Sequence, residues 1–329
     1  MTGPHPATAA TRVAVRRELA RIEQVEPGGI VLVAWSGGAD SLALAAAVAF
    51  EVPRTVLSAG AVIVDHGLQE CSPAVARRAA EQCRGLGLDP VEVVTVQVAL
   101  SGAGPEAGAR DARYRAFEDV AERFGAVAVL LGHTRDDQAE QVLLGLARGS
   151  GARSLSGMPA RRGPYLRPFL GLARTTTVAA CEAAGLTAWV DPQNSDPSYG
   201  RVRARALLPR LEAELGLGTV AALARSADLL REDADALDDL AAAARAELGP
   251  EPIDATRLLR LPRAIRTRVW RLLAIEAGCP PGALIASHVD TLDTLVTSWR
   301  GQGPIDLPGR VQGSRSGGRV LVAPKDRVE

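Results

Sequence analysis

Between Gly29 and about Val190, short apolar runs alternate with longer segments whose apolar residues recur every three to four positions. The runs at 30–34, 60–65, 91–98 and 126–132 are rich in Val, Ile, Leu and Ala and have the length of strands. The segments at 40–50, 73–86, 105–124 and 136–147 carry helical spacing. Such alternation predicts an α/β fold, a doubly wound, Rossmann-like parallel sheet covered by helices on both faces. Its ligands are expected beyond the C-terminal ends of the strands. Residues 11–26 predict a lead-in helix, preceded by a disordered tail over 1–10.

The pattern changes at the turn-rich stretch 191–197. An Arg-studded helix and a long helical stretch to about Leu248 follow, then Gly249-Pro250. The remainder predicts a smaller α+β domain with helices at 255–277 and 283–299 and short strands near 303–312 and 318–323. The expected organisation is a tail and lead-in helix over 1–28, a nucleotide-binding catalytic domain over 29–200, a helical linker over 201–249 and a C-terminal domain over 250–329.

Composition narrows the function classes. Apolar residues make up 47% of the 329 residues and aromatics only 3%, so Ala and Val must fill the core. Formal net charge is zero, and a nucleic-acid surface would have to be local. The four cysteines, Cys71, Cys83, Cys181 and Cys279, form no C-x-x-C pair, which argues against zinc knuckles, iron–sulfur ligation and disulfide frameworks. No apolar run spans a membrane and no signal-peptide core stands at the N-terminus, so a cytoplasmic protein is expected.

Three motifs fall at predicted strand ends. The first is Ser36-Gly37-Gly38-Ala39-Asp40-Ser41, a glycine turn opening a helix. Glycines let backbone N–H groups approach an anion, and the first helical turn adds unpaired donors and the positive end of the dipole. The only lysine, Lys325, lies far away behind Pro324, which excludes a Walker A loop. A capped strand–helix turn would look similar. The second motif, Asp65-His66-Gly67, is an ordinary strand end by identity and borders the same pocket by position. The third, Gly132-His133-Thr134-Arg135-Asp136-Asp137-Gln138-Ala139-Glu140, places His133, Asp137 and Glu140 within reach of one site. Acidic residues at a helix start are routine dipole partners, yet this run concentrates more ionisable groups than capping requires. Arg110 and Arg113, one helical turn apart, suit a phosphate clamp or a solvated helix face.

Taken in order, these motifs resemble the tRNA(Ile)-lysidine synthases, a branch of the PP-loop or N-type ATP pyrophosphatases. The resemblance continues through Glu106…Ala109-Arg110-x-x-Arg113-Tyr114, Arg148-Gly149-Ser150-Gly151, Arg167-Pro168-Phe169-Leu170 and Trp189-x-Asp191-Pro192-x-Asn194. It ends at Arg201-x-Arg203-x-Arg205 before Leu208-Pro209, covering roughly 29–210. Gln141 stands where Thr is usual and Val202 replaces a frequent Asn; neither removes a presumed reacting group. The chain reads as a short form of the family.

The resemblance implies that ATP adenylates O2 of the wobble cytidine in an isoleucine tRNA, releasing pyrophosphate. Free L-lysine then displaces AMP through its ε-amine. It implies an ATP site of Ser36, Gly37, Gly38, Ala39, Asp40, Ser41, Asp65 and His66, with Mg²⁺ accompanying the phosphates. Asp40, Arg110, Arg113 and His133 would be catalytic, Asp40 ordering the metal or the attacking base. His133, Asp137 and Glu140 would bind lysine, one of them taking its proton. For tRNA the candidates are Arg201, Arg203 and Arg205, with Arg260, Arg263 and Arg266 from the stretch 257–271, which holds six Arg and no acid. A homodimer stays open. The rival readings are a PP-loop tRNA thiolase, usually marked by paired cysteines, and a non-catalytic nucleotide- or RNA-binding module.

Overall fold

The computed structural model describes residues 3–67, 72–97, 105–149, 151–189 and 196–325. Leu68, Ser150, Asp191, Pro192 and Asn194 of the motifs above lie outside the described residues, as does the side chain of Glu106. The chain forms two compact units, Met1–Leu230 and Arg231–Glu329, with the division inside one long helix.

The first unit contains α1 (Pro6–Val25), β1 (Ile30–Trp35), α2 (Ala39–Glu51), β2 (Ser58–Asp65), α3 (Ser72–Gly85), β3 (Val91–Thr95), α4 (Pro105–Phe124), β4 (Ala126–Leu131) and α5 (Arg135–Ala147). Then come α6 (Ala152–Leu155), the two-residue strands β5 (Arg161–Arg162) and β6 (Tyr165–Leu166), α7 (Arg174–Ala183), α8 (Gly200–Leu215) and the start of α9 (Thr219–Leu248). The sheet order is β3-β2-β1-β4-β6-β5, parallel except for β5 against β6. Side chains alternate across it. Val31, Val33 and Trp35 of β1 join the core under α1, α2, α3 and α7, while Leu32 and Ala34 join Phe117 and Val120 of α4 on the other face. α2 buries Leu42, Ala43, Leu44, Ala45, Ala47 and Val48, nearly its whole circumference, against the sheet, α1 and α7. Its small side chains let three helices approach closely, which is how a core with few aromatics closes.

The expected tail is corrected: α1 begins at Pro6, five residues before the apolar spacing suggests. His5 Nδ1 accepts from the Ala7 N–H at 3.2 Å, Pro6 presets the helical φ at the first turn, and Ala7 and Thr11 are buried.

The second unit holds the rest of α9, then β7 (Ile253–Asp254), α10 (Ala255–Arg260), α11 (Arg263–Glu276), α12 (Ala286–Thr297), β8 (Ile305–Leu307), β9 (Val311–Ser316) and β10 (Arg319–Pro324). Its antiparallel sheet runs β7-β10-β9-β8. The helix expected over 255–277 is two helices. The break falls at Leu261-Pro262, because Pro262 lacks the N–H that would continue α10, and it caps α11 instead. The strand expected over 303–312 is likewise divided, by a turn in which Gly309 and Arg310 both have positive φ.

Candidate active site

β1 is followed on one side by β2 and β3, while β4 pairs on its other side, so strand order reverses between β1 and β4. In doubly wound sheets that switch point opens a crevice at the strand C-termini. The first motif follows β1 there and the third follows β4. They touch: a Cβ on Gly132 would lie 3.0 Å from the backbone of Asp40 and Ser41, so a larger residue would force that backbone to shift. Gly37 has φ +94° and gives its carbonyl to the Trp189 N–H at 3.0 Å. Gly38 caps α2, and Asp40 and Ser41 occupy its first turn. Ser41 Oγ donates to the Gly38 carbonyl at 3.0 Å and accepts from the Ser36 N–H at 3.2 Å, which closes the loop on itself. Asp65 Oδ1 accepts from the Gly67 N–H at 2.9 Å, holding the turn after β2.

The acidic residues of the first and third motifs converge on a side chain that sequence reasoning did not single out, Arg174 at the start of α7. Its Nη2 donates to Asp137 Oδ1 at 2.6 Å, Nη1 to Glu140 Oε1 at 3.1 Å, and Nε to Asp40 Oδ2 at 3.4 Å. Asp40 Oδ1 accepts from the Thr177 hydroxyl. Arg205 enters from α8, its Nε 2.7 Å from Glu140 Oε1 and its Nη2 3.8 Å from Asp137 Oδ1. Among the described residues, these ion pairs join three carboxylates and two guanidiniums, one negative charge in excess. Burial pushes the Asp40 carboxyl up, against the opposing pull of Thr177 and Arg174. Burial would also raise Asp137, but Arg174, the Thr134 N–H and His133 outweigh it and hold Asp137 below the usual carboxylate range. Asp137 does cap α5, since Oδ2 accepts both the N–H and the hydroxyl of Thr134 at 2.7 and 2.8 Å. One carboxylate thus serves both readings, with one oxygen to each.

A positive rim faces the histidine of the third motif. Burial lowers His133, and Arg167, Arg201 and Arg110 act in the same direction against the raising charge of Asp137, so it stays neutral at pH 7. Its Nδ1 is buried and finds no hydrogen-bond partner among the described residues. Arg113 Nε donates to His66 Nε2 at 3.3 Å, linking α4 to the second motif. Burial and the neighbouring Arg110 and Arg201 lower the Arg113 guanidinium. Arg110 lies over the Tyr114 ring at 4.8 Å.

Several of the Arg residues expected to meet tRNA are engaged within the protein. Arg205 is committed to Glu140, and Arg203 donates to the carbonyls of Pro197 and Ser198 at 2.6 and 2.8 Å. In the second unit, acids from other elements pair with three of the six Arg of the acid-free stretch. Arg266 is buried and forms a two-pronged pair with Asp293 of α12 at 2.7 and 3.0 Å, so it cannot face a phosphate backbone. Arg263 pairs with Asp290 at 2.7 Å and Arg268 with Asp238 at 2.7 Å. Arg260 is exposed and has no ion pair among the described residues.

Among the described residues no helix is long and apolar enough to cross a membrane. The described cysteines, Cys83, Cys181 and Cys279, are free and buried, and burial pushes Cys83 up to about 12 and Cys181 up to about 11. These are inert thiols.

Residues 11–211 match the PP-loop domain family. The chain is 56% identical to a tRNA(Ile)-lysidine synthase of Thermobifida fusca (strain YX), covering 98% of this chain and 99% of that protein. It is 52% identical to a tRNA(Ile)-lysidine synthase of Streptomyces coelicolor over 97% of this chain and 99% of its relative. Among solved structures, the U34-tRNA thiolase NcsA from Methanococcus maripaludis, described with its [4Fe-4S] cluster, superposes with a TM-score of 0.56 at 18% identity. That match covers 68% of this chain and 80% of the thiolase and speaks for the fold. With near-full-length identity above half and a PP-loop domain carrying the switch-point site, the chain belongs to the tRNA(Ile)-lysidine synthase family.

Proposed function

We propose that the chain ligates L-lysine to the wobble cytidine of an isoleucine tRNA, using ATP and releasing pyrophosphate and then AMP. The observation that carries this reading is the meeting of Asp40, on the glycine loop, with Asp137 and Glu140, on α5, in one cluster whose described ion pairs hold three carboxylates and two guanidiniums. An adenylating site and a cation site are thereby adjacent.

A pyrimidine carbonyl is a poor leaving group, and adenylation converts it into a good one. The loop 36–41 would hold the phosphates through its backbone N–H groups and the start of α2. Arg110 and Arg113 would stabilise charge on the α-phosphate as O2 attacks. The lysine ammonium, of pKa about 10.4 in water, would add the missing positive charge beside Asp137 and Glu140 and must then lose a proton. His133, Asp137 and Glu140 border that position, and the burial that lowers His133 to about 4 makes it a weak acceptor for this proton. Among the described residues no group of three His, Cys, Asp or Glu side chains is placed to hold a metal, and both Asp40 oxygens are engaged. Among the described residues the side chains do not form a magnesium site of their own; Mg²⁺ would arrive with ATP and neutralise phosphate charge beside the loop 36–41.

The test is incubation with ATP, L-lysine and isoleucine tRNA, following pyrophosphate release and the modified base. Lysine-dependent conversion of cytidine to lysidine is the expected result. Pyrophosphate release without tRNA, or incorporation of sulfur, would overturn the reading.

A further inference from the structure

We propose that Arg174 is a positioning residue through which the α5 carboxylates, Asp137 and Glu140, also serve the adenylation step that precedes lysine. The inference rests on the reading that Asp40 acts in adenylation. Asp40 stands on the nucleotide loop and Glu140 two turns into α5, and among their described contacts the guanidinium of Arg174 is the group that touches both. Its three nitrogens each take a different carboxylate, Asp40, Asp137 and Glu140, so the fork fixes three side chains from two elements at once.

The strut is itself anchored. The Arg174 N–H donates to Asp136 Oδ2 at 2.8 Å, and the Arg135 N–H donates to the Leu172 carbonyl at 2.8 Å. These crossed bonds pin the start of α7 to the first turn of α5. From the same helix, Thr177 holds the second oxygen of Asp40. Only 22% of the Arg174 side chain is exposed, so the pairs are weakly screened. Among the described residues Arg205, His133, Asp136 and Cys181 are further charged or titratable groups against this cluster, and the Arg205 guanidinium pairs with Glu140 and Asp137 rather than with Asp40. Arg174 is therefore the route by which a change at Glu140 reaches the loop.

The experiment uses the full chain with isoleucine tRNA and ATP, lysine omitted, and measures single-turnover transfer of AMP to tRNA. Losing one charge-assisted contact of this kind corresponds to about tenfold or more. Arg174→Met is expected to slow AMP transfer at least that much at saturating ATP, with ATP affinity unchanged. Glu140→Gln is expected to slow the same lysine-free step severalfold, and Arg174→Met/Glu140→Gln to be no slower than Arg174→Met alone. Arg174→Lys, which keeps the charge on a folded chain, should recover part of the rate. Normal AMP transfer in Glu140→Gln, or additive losses in the double variant, would overturn the inference while lysine KM in Glu140→Gln still reports on the amine site. Normal AMP transfer in Asp40→Asn would instead overturn the underlying reading.

Discussion

Asp293→Ala is expected to destabilise the second unit far more than any exposed substitution on it. Asp293 accepts from Arg266 Nε and Nη2 at 2.7 and 3.0 Å and from the indole Nε1 of Trp270 at 3.0 Å. Arg266 Nη1 also donates to the Leu261 carbonyl at 2.8 Å, just before the break between α10 and α11. Both charged side chains are only 9% exposed and Trp270 is fully buried. Removing the carboxylate strands a buried guanidinium, which costs about 3–5 kcal/mol. The indole N–H loses its acceptor as well, placing the loss in the upper half of that range. Replacing both charges, in Arg266→Met/Asp293→Leu, removes the stranded group and should recover most of the loss. Because the chain has two compact units, a single global melting curve is a poor measure. Hydrogen exchange at the amides of α11 and α12 reads the unit directly, and protection there should fall by roughly three to four orders of magnitude in Asp293→Ala. The loss should persist at high salt, since a buried pair is little screened. Unchanged protection in Asp293→Ala would refute the reasoning. So would an Arg266→Ala variant that binds tRNA with a reduced salt slope and keeps full protection, which would return Arg266 to an RNA-facing role.

Gly37→Ala is expected to weaken ATP binding at least tenfold, as φ +94° disfavours any Cβ and this one would sit 2.9 Å from Trp189 Cε3. Among the described residues Gly38→Ala meets no atom within 4 Å, so equal loss of ATP affinity there would report close approach of phosphate, and isothermal titration of both variants distinguishes the causes. His133 is lowered on folding from about 6.5 to about 4, so the unfolded chain binds the extra proton first. Its contribution to stability is intact above pH 6.5 and declines as pH falls towards 4. His133→Gln should flatten that part of the pH–stability curve measured by denaturant titration, and an unchanged slope would contradict a neutral buried imidazole. Arg260→Ala with Arg263→Ala should raise the tRNA dissociation constant and reduce its salt dependence, with folding stability altered by less than about 1 kcal/mol because the Arg263–Asp290 pair is exposed. Gel-shift titrations at several salt concentrations check this, and an unaltered slope would remove both residues from the RNA surface.

Much of the nucleotide half was legible along the chain. Alternation in Ile30–Trp35 and Ala126–Leu131 divides residues between two sheet faces, and the glycines of 36–38 and 132 mark where backbone must turn or approach closely. These are local properties: periodicity and φ belong to a residue and its near neighbours. The start of α1 was missed because Ala7 and Thr11 become apolar contacts only once α2 and α7 are packed beside them. Arg174 stood in no motif. Its meaning comes from carboxylates 134, 37 and 34 residues away, and no window of sequence contains that sum. The stripe 257–271 failed in the opposite direction. It has no acid of its own, but α12 and α9 bring Asp290, Asp293 and Asp238 against it, turning a run that suited RNA into one that largely holds its own unit together. Backbone geometry follows from bonds and immediate neighbours, so sequence determines it early. Charge acts through space and depends on burial, so which guanidinium is exposed, which is paired and which carboxyl is pushed up or held down are decided only when distant elements meet.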